Sequence, residues 1–202
     1  MEVYSTEDQQ IDEIKGWFKE NGKSAITIAI LAVVAVGGWQ YYKSSTKSSN
    51  EESSLAYTQA LTRFDGKVAN AKSMTQFIQS HDSSEYAIIA ASELAKVYVD
   101  SDQIDQAIEQ LVWAEKNAKD KMFLPLIRTR LARLYAEQKN YTQAVAMLDK
   151  VTQKAWLGRV AELKGDVLLA QGKKTQARSE YIQAQQLGVV GSIQTKINNL
   201  PK

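Results

Sequence analysis

Apolar positions follow three regimes along this chain. From Ser24 to Tyr42 they run almost unbroken, with no charged residue. Before that run, Ile11, Ile14, Trp17 and Phe18 recur at helical spacing, with Asp12, Glu13, Lys15, Lys19 and Glu20 between them. After it, residues 44–54 read Ser-Ser-Thr-Lys-Ser-Ser-Asn-Glu-Glu-Ser-Ser and hold no apolar side chain. From Leu55 onward, apolar residues again recur at helical spacing, now with small residues at fixed offsets.

The uncharged run predicts a transmembrane helix over 24–42. At about 1.5 Å per residue it reaches roughly 28 Å, close to the thickness of a bilayer's hydrocarbon. Lys23 and Lys43 bracket it, and Trp39, Tyr41 and Tyr42 crowd one end, where aromatic rings favour the headgroup region. A cleaved signal peptide is the rival, with Ala35-Val36-Gly37 as its cleavage site. The long leading tail with six acids and the apolar length favour the anchor. Gly37 and Gly38 offer a close contact to another membrane helix, or are neutral there. Lys15, Lys19 and Lys23 on one side against Lys43 and Lys47 on the other leave the orientation open.

The flanks follow from the same pattern. Residues 1–23 read as a tail with a short amphipathic helix stopped by Asn21-Gly22, either lying at the membrane surface or simply exposed. Residues 43–54 read as a flexible linker.

Residues 55–202 form one domain, and its pattern repeats. Leu94-Ala95 and Tyr98 precede Ala107, Leu111 and Ala114. Leu131-Ala132 and Tyr135 precede Ala144, Leu148 and Val151. Lys164-Gly165 and Leu168 precede Ala177, Tyr181 and Ala184. In each unit the two small residues, such as Ala95 and Ala107, lie 12 apart, and the units begin 37 and then 33 residues apart. That is the period of tetratricopeptide repeats, about 34 residues. Two antiparallel helices approach closely where each carries a small side chain. Asp102-Gln103, Lys139-Asn140 and Gly172-Lys173 mark the turns between paired helices.

The predicted architecture is therefore all-α: a transmembrane helix, then a tetratricopeptide-repeat-like α-solenoid of antiparallel helix pairs. A degenerate unit spans 55–85, repeats span about 88–121, 125–157 and 158–188, and Ser192 caps a closing helix over 192–199.

Composition removes several kinds of chemistry. There is no cysteine and one histidine, so disulfides and thiolate metal sites are excluded. Twenty-five basic and 23 acidic residues leave a net charge of +2, no electrostatic footprint for nucleic acid. His81 falls in a polar loop with no partner group, Asp65-Gly66 is a turn signal, and no phosphate loop or dinucleotide fingerprint is present. No catalytic residue, cofactor or metal is expected. Arg128, Arg130 and Arg133 do not share one helical stripe and read as a solvated face with scattered salt bridges, a phosphate-binding site being the alternative.

A binding surface remains. In such stacks the first helix of each unit lines a concave groove. Here that predicts Ser92, Lys96 and Val99, then Thr129, Arg133 and Ala136, then Arg159, Glu162, Asp166 and Leu169. The alternative is that these side chains are exposed and bind nothing.

The layout resembles one family from end to end. Ile-Lys-Gly-Trp-Phe-Lys-Glu-Asn-Gly-Lys (14–23) with its adjoining apolar helix is similar to the N-terminal region of the YfgM proteins, ancillary subunits of the bacterial Sec translocon. Ser54-Leu55-Ala56-Tyr57, Arg130-Leu131-Ala132-Arg133, Leu163-Lys164-Gly165-Asp166 with Gly172-Lys173, and the ending Lys196-Ile197-Asn198-Asn199-Leu200 are also family-like. The stretch from Gly66 to Tyr86 departs from the pattern. The resemblance implies a single-pass inner-membrane protein with a cytoplasmic N-terminus and a periplasmic repeat domain. It implies association with the SecYEG translocon and with a PpiD-like membrane-anchored periplasmic chaperone. It also implies help in passing newly translocated proteins to chaperones, with unfolded client proteins as a further partner. The competing account is a structural scaffold for a cell-envelope protein complex without client binding.

Overall fold

The computed structural model describes residues 7–201, and every regular element among them is helical. Residues 1–6 and 202, and the side chains of residues 7–10, Asp12, Glu13, Phe18 and Ala25, lie outside the described residues. The chain divides into two compact units, 1–52 and 53–202.

The first unit is built from one helix. α1 runs from Glu7 to Thr62 without interruption, so its last ten residues belong to the second unit. The expected stop at Asn21-Gly22 is not one: Asn21 turns its side-chain amide back to the Trp17 carbonyl at 3.3 Å, inside the helix. A single glycine costs about 1 kcal/mol in a helix interior, too little to end one already propagating. The expected linker over 43–54 is helical as well. It contains neither Gly nor Pro, Thr46 bonds the Tyr42 carbonyl at 2.9 Å, and Lys47 pairs with Glu51 one turn on at 3.8 Å. Lack of apolar side chains removes a reason to pack, not a reason to be helical. Within 24–42, Ile26, Ile28, Ile30, Leu31, Val33, Val34, Val36 and Trp39 are all exposed. A core helix of a water-soluble domain would bury such side chains. α1 contains the span long and apolar enough to cross a membrane.

The second unit begins where α1 ends. Asp65 accepts the Lys67 N–H at 3.1 Å, and Gly66 takes φ +78°, closing the turn. A 3-10 turn at Val68–Asn70 and α2 (Lys72–Ser80) follow. Tyr57 from the end of α1 packs against Phe77 and Tyr86, with ring centroids 5.7 Å apart in both pairs. The Tyr57–Phe77 contact lies within 55–85, the stretch expected to form a degenerate first unit.

Three helix pairs come next: α3 (Glu85–Asp100) with α4 (Ile104–Asn117), α5 (Leu124–Glu137) with α6 (Tyr141–Asp149), and α7 (Leu157–Ala170) with α8 (Lys174–Gln186). Each helix packs on the next, and α5 also reaches α7. Starts are locally encoded at Ser84, whose hydroxyl accepts the Tyr86 N–H, and at Asn140, whose amide oxygen accepts the Gln143 N–H. Pro125 occupies the first turn of α5.

The three intra-pair turns are one structure repeated. At Asp102, Lys139 and Gly172 the backbone is left-handed, with φ of 59°, 59° and 76°. The next residue's N–H bonds a carbonyl five residues back in each: Gln103 to Tyr98, Asn140 to Tyr135, Lys173 to Leu168, at 2.8, 2.8 and 2.9 Å. This is the Schellman stop, which reverses the chain in three residues.

Ala107, Leu111, Ala114, Leu131, Ala132, Ala144 and Leu148 are buried in the core. A second apolar cluster, with Ala161, Ala177, Tyr181, Ala184, Ile193 and Ile197, joins α7 and α8 to the closing helix α9 (Ile193–Asn198). Ser192 precedes α9 as expected, yet its side chain makes no capping bond. Burial of Ile193 and Ile197 holds α9 in its place.

Candidate partner-binding groove

The groove grows from the small-residue rule. Gly165 lies against the Tyr181 ring of its pairing helix, and side chains of α3, α5 and α7 form the other surface. Two cavities lie along it. The first, of about 330 Å³, is lined by α3 and α5: Ser92, Ala95, Lys96, Val99, Arg130, Arg133, Leu134 and Glu137, with Leu111 of α4. The second, of about 270 Å³, is lined by Ala132, Arg133, Ala136 and Glu137 of α5 and by Leu163, Asp166, Val167 and Ala170 of α7. Arg133 and Glu137 belong to both, so the cavities form one continuous groove.

Of the residues expected there, Ser92, Lys96, Val99 and Arg133 share the first cavity, and Arg133, Ala136 and Asp166 share the second. Four others stand elsewhere. Thr129 is buried and its hydroxyl donates to the Leu126 carbonyl at 2.9 Å. Glu162 is buried, bound by Arg159 at 2.6 Å and by Lys196 at 2.9 Å. Arg159 and Leu169 are exposed and line neither cavity. Gly37 and Gly38 lie on the exposed α1, with nothing within 4 Å of where a Cβ would stand.

Sequence reasoning missed Arg130, Leu134 and Glu137. They lie three and four residues from Arg133 or Arg130, the spacing of one helical face, so that signal was available. Arg128, set apart from Arg130 on the helix as expected, makes one of the anticipated salt bridges: it donates to Glu115 at 2.9 Å and to the Lys150 carbonyl at 2.8 Å. His81 stacks on Phe77 with centroids 4.8 Å apart and shares a 2.8 Å hydrogen bond with Ser80, ending α2.

The far end of the groove is electrostatically closed by α9. Lys196 bonds Asp166 at 2.6 Å and Glu162 at 2.9 Å, and its ammonium lies 5.3 Å from the centre of the Tyr181 ring. The Tyr181 hydroxyl donates to Asp166 at 2.8 Å. Burial pushes the Glu162 carboxyl up, but hydrogen bonds from Lys196 and Arg159 outweigh it and hold the group below the usual range. For Lys196, burial pulls the ammonium down, while the Asp166 and Glu162 carboxylates more than restore it. Burial, then the Asp166 carboxylate, pushes the Tyr181 phenol far above its ordinary value. Asp166 therefore lines the groove with its charge already matched.

Comparison with known proteins agrees with this architecture. The family model for a tetratricopeptide repeat-like domain matches residues 15–202. A protein of Escherichia coli strain K12 named Ancillary SecYEG translocon subunit is 33% identical over 205 residues, covering 99% of this chain and 99% of its own. A relative of the same name from Aggregatibacter actinomycetemcomitans is 32% identical over 199 residues, with 96% and 97% covered. One from Haemophilus influenzae strain Rd is 28% identical over 198 residues, with the same coverage. On the full-length match, the shared repeat domain and the apolar helix before it, the chain belongs to the YfgM family of ancillary SecYEG translocon subunits.

Proposed function

We propose that this protein is an ancillary subunit of the Sec translocon, held beside the SecYEG channel by residues 24–42 and engaging partner proteins through its repeat domain. The observation that carries this reading is the end-to-end identity of 33% with a protein named for that role. A tethered domain reaches a high effective concentration beside its target, so weak groove contacts suffice. In this reading the N-terminus is cytoplasmic and the repeat domain periplasmic. Its partners are the channel, a PpiD-like membrane-anchored chaperone and emerging client chains, which it helps pass to chaperones.

In-membrane crosslinking tests this. A photoreactive residue at position 38 is expected to capture channel subunits, and one at position 133 a periplasmic chaperone. Adducts from position 133 with cytoplasmic proteins alone would invert the topology and defeat the proposal.

A further inference from the structure

The groove is unevenly charged. Lys96, Arg130 and Arg133 line the first cavity with one carboxylate, Glu137. Among the described residues, none of these three cations has a carboxylate within ion-pair distance. Lys96 and Arg133 are exposed and Arg130 is half-buried; of the other half-buried cations of this domain, Arg128 is matched to Glu115 at 2.9 Å, Lys164 to Asp149 at 2.6 Å and Lys196 to Asp166 at 2.6 Å, while Arg178, away from the groove, has no carboxylate either. In the second cavity, the Asp166 charge is answered by Lys196. The floor between the charges is apolar: Ala95, Val99, Leu111 and Leu134, continuing into Ala132, Ala136, Leu163 and Val167.

From this imbalance we propose that the groove binds an extended polypeptide segment whose side chains on one face alternate between carboxylates and aliphatic groups. The inference deepens the groove-contact reading above and rests on it. Free phosphate would leave the apolar floor bare, whereas a peptide uses both. The two joined cavities cross three helices, or two interhelical spacings of about 10 Å. About six or seven extended residues span that length. The cations Lys96, Arg130 and Arg133 call for more than one carboxylate, which the side chains of an internal stretch supply. Its carboxylates lie over Lys96, Arg130 and Arg133, with aliphatic side chains on the floor.

The test uses full-length protein in detergent and a fluorescent peptide, acetylated and amidated, of sequence Glu-Ser-Leu-Ser-Glu-Ser-Leu. Binding by anisotropy is expected, weakening steeply with added salt. Changing both Glu to Gln in the peptide is expected to weaken it about tenfold to a hundredfold, the worth of a charge-assisted hydrogen bond. The protein variants R130Q, R133Q and K96Q should act alike, while K119Q, on an exposed loop, should not. Circular dichroism melts confirm that each variant is folded. Equal binding of the Glu and Gln peptides, no binding of either, or binding only to a peptide with a free C-terminus would each overturn the proposal. SecYEG copurification, measured on the same variants, separates the two readings: retained copurification with failed peptide binding sinks this inference alone.

Discussion

Gly165 shows how closely this fold is specified by single side chains. A Cβ placed there would come within 2.4 Å of the Tyr181 ring. In the other two repeats the same pair of positions holds Ala95 with Leu111 and Ala132 with Leu148. A larger residue on one helix is thus matched by a smaller one on the other, and total volume stays nearly constant. Gly165→Ala should destabilise by about 1–3 kcal/mol through overpacking, read from the midpoint of denaturant unfolding. Adding Tyr181→Leu restores the Ala–Leu combination of the neighbouring repeats and should recover most of the loss. Strict additivity of the two changes would remove the idea that they compensate. The turns give a second test of the same kind. Lys139 holds φ +59° where the third repeat uses Gly172. Lys139→Gly should stabilise by up to about 1 kcal/mol by relieving that strain, and Gly172→Ala should cost a similar amount.

At the scale of elements, the closing helix is held by charge as well as by Ile193 and Ile197. Glu162 has a lowered folded pKa, so its contribution is complete above the ordinary carboxylate range and is lost as pH falls through the folded value. Lys196 has a raised folded pKa, so its contribution is complete below the ordinary lysine range and is lost as pH rises through the folded value. The docking of α9 should therefore be firmest across neutral pH and loosen in acid, below about pH 4. Hydrogen exchange of the α9 amides follows this directly. Lys196→Met should raise their exchange at neutral pH, and the gap between variant and parent should shrink in acid. A gap that persists unchanged would mean that the apolar contacts alone seat the helix. These elements were unequally legible in sequence. Small residues 12 apart announced the helix pairs and their turns, because close approach admits few side chains. The Lys196–Asp166–Tyr181 cluster was not readable, since it joins positions 30 and 15 residues apart through a fold that spacing alone does not supply. Periodicity places Thr129 and Glu162 in the groove, whereas tertiary contacts bury them. Residues 43–54 read as a linker in sequence because helical propensity without an apolar face leaves little trace in a hydrophobic pattern.

For the whole molecule, the organising fact is that the described side chains of the apolar span are exposed while the repeat domain encloses its own core. The exposed span carries Ile26, Ile28, Ile30, Leu31, Val33, Val34 and Val36, and each such side chain favours an apolar phase by roughly 1.5–3 kcal/mol when fully buried. No water-soluble state of the intact chain can keep that surface wet at low cost. The repeat domain begins its packing at Ser53, outside this span. Deleting residues 24–42 should therefore release the protein from membranes without unfolding the repeats. The expected readout is a shift of the protein from the membrane pellet to the supernatant after carbonate extraction, with an unchanged melting midpoint for the repeat domain. The same deletion should abolish copurification with SecYEG, because it removes the helix that holds the protein beside the channel and with it the high effective concentration of the repeats there. Retained copurification by the released domain would place the channel contact in the repeats and reduce the helix to an anchor.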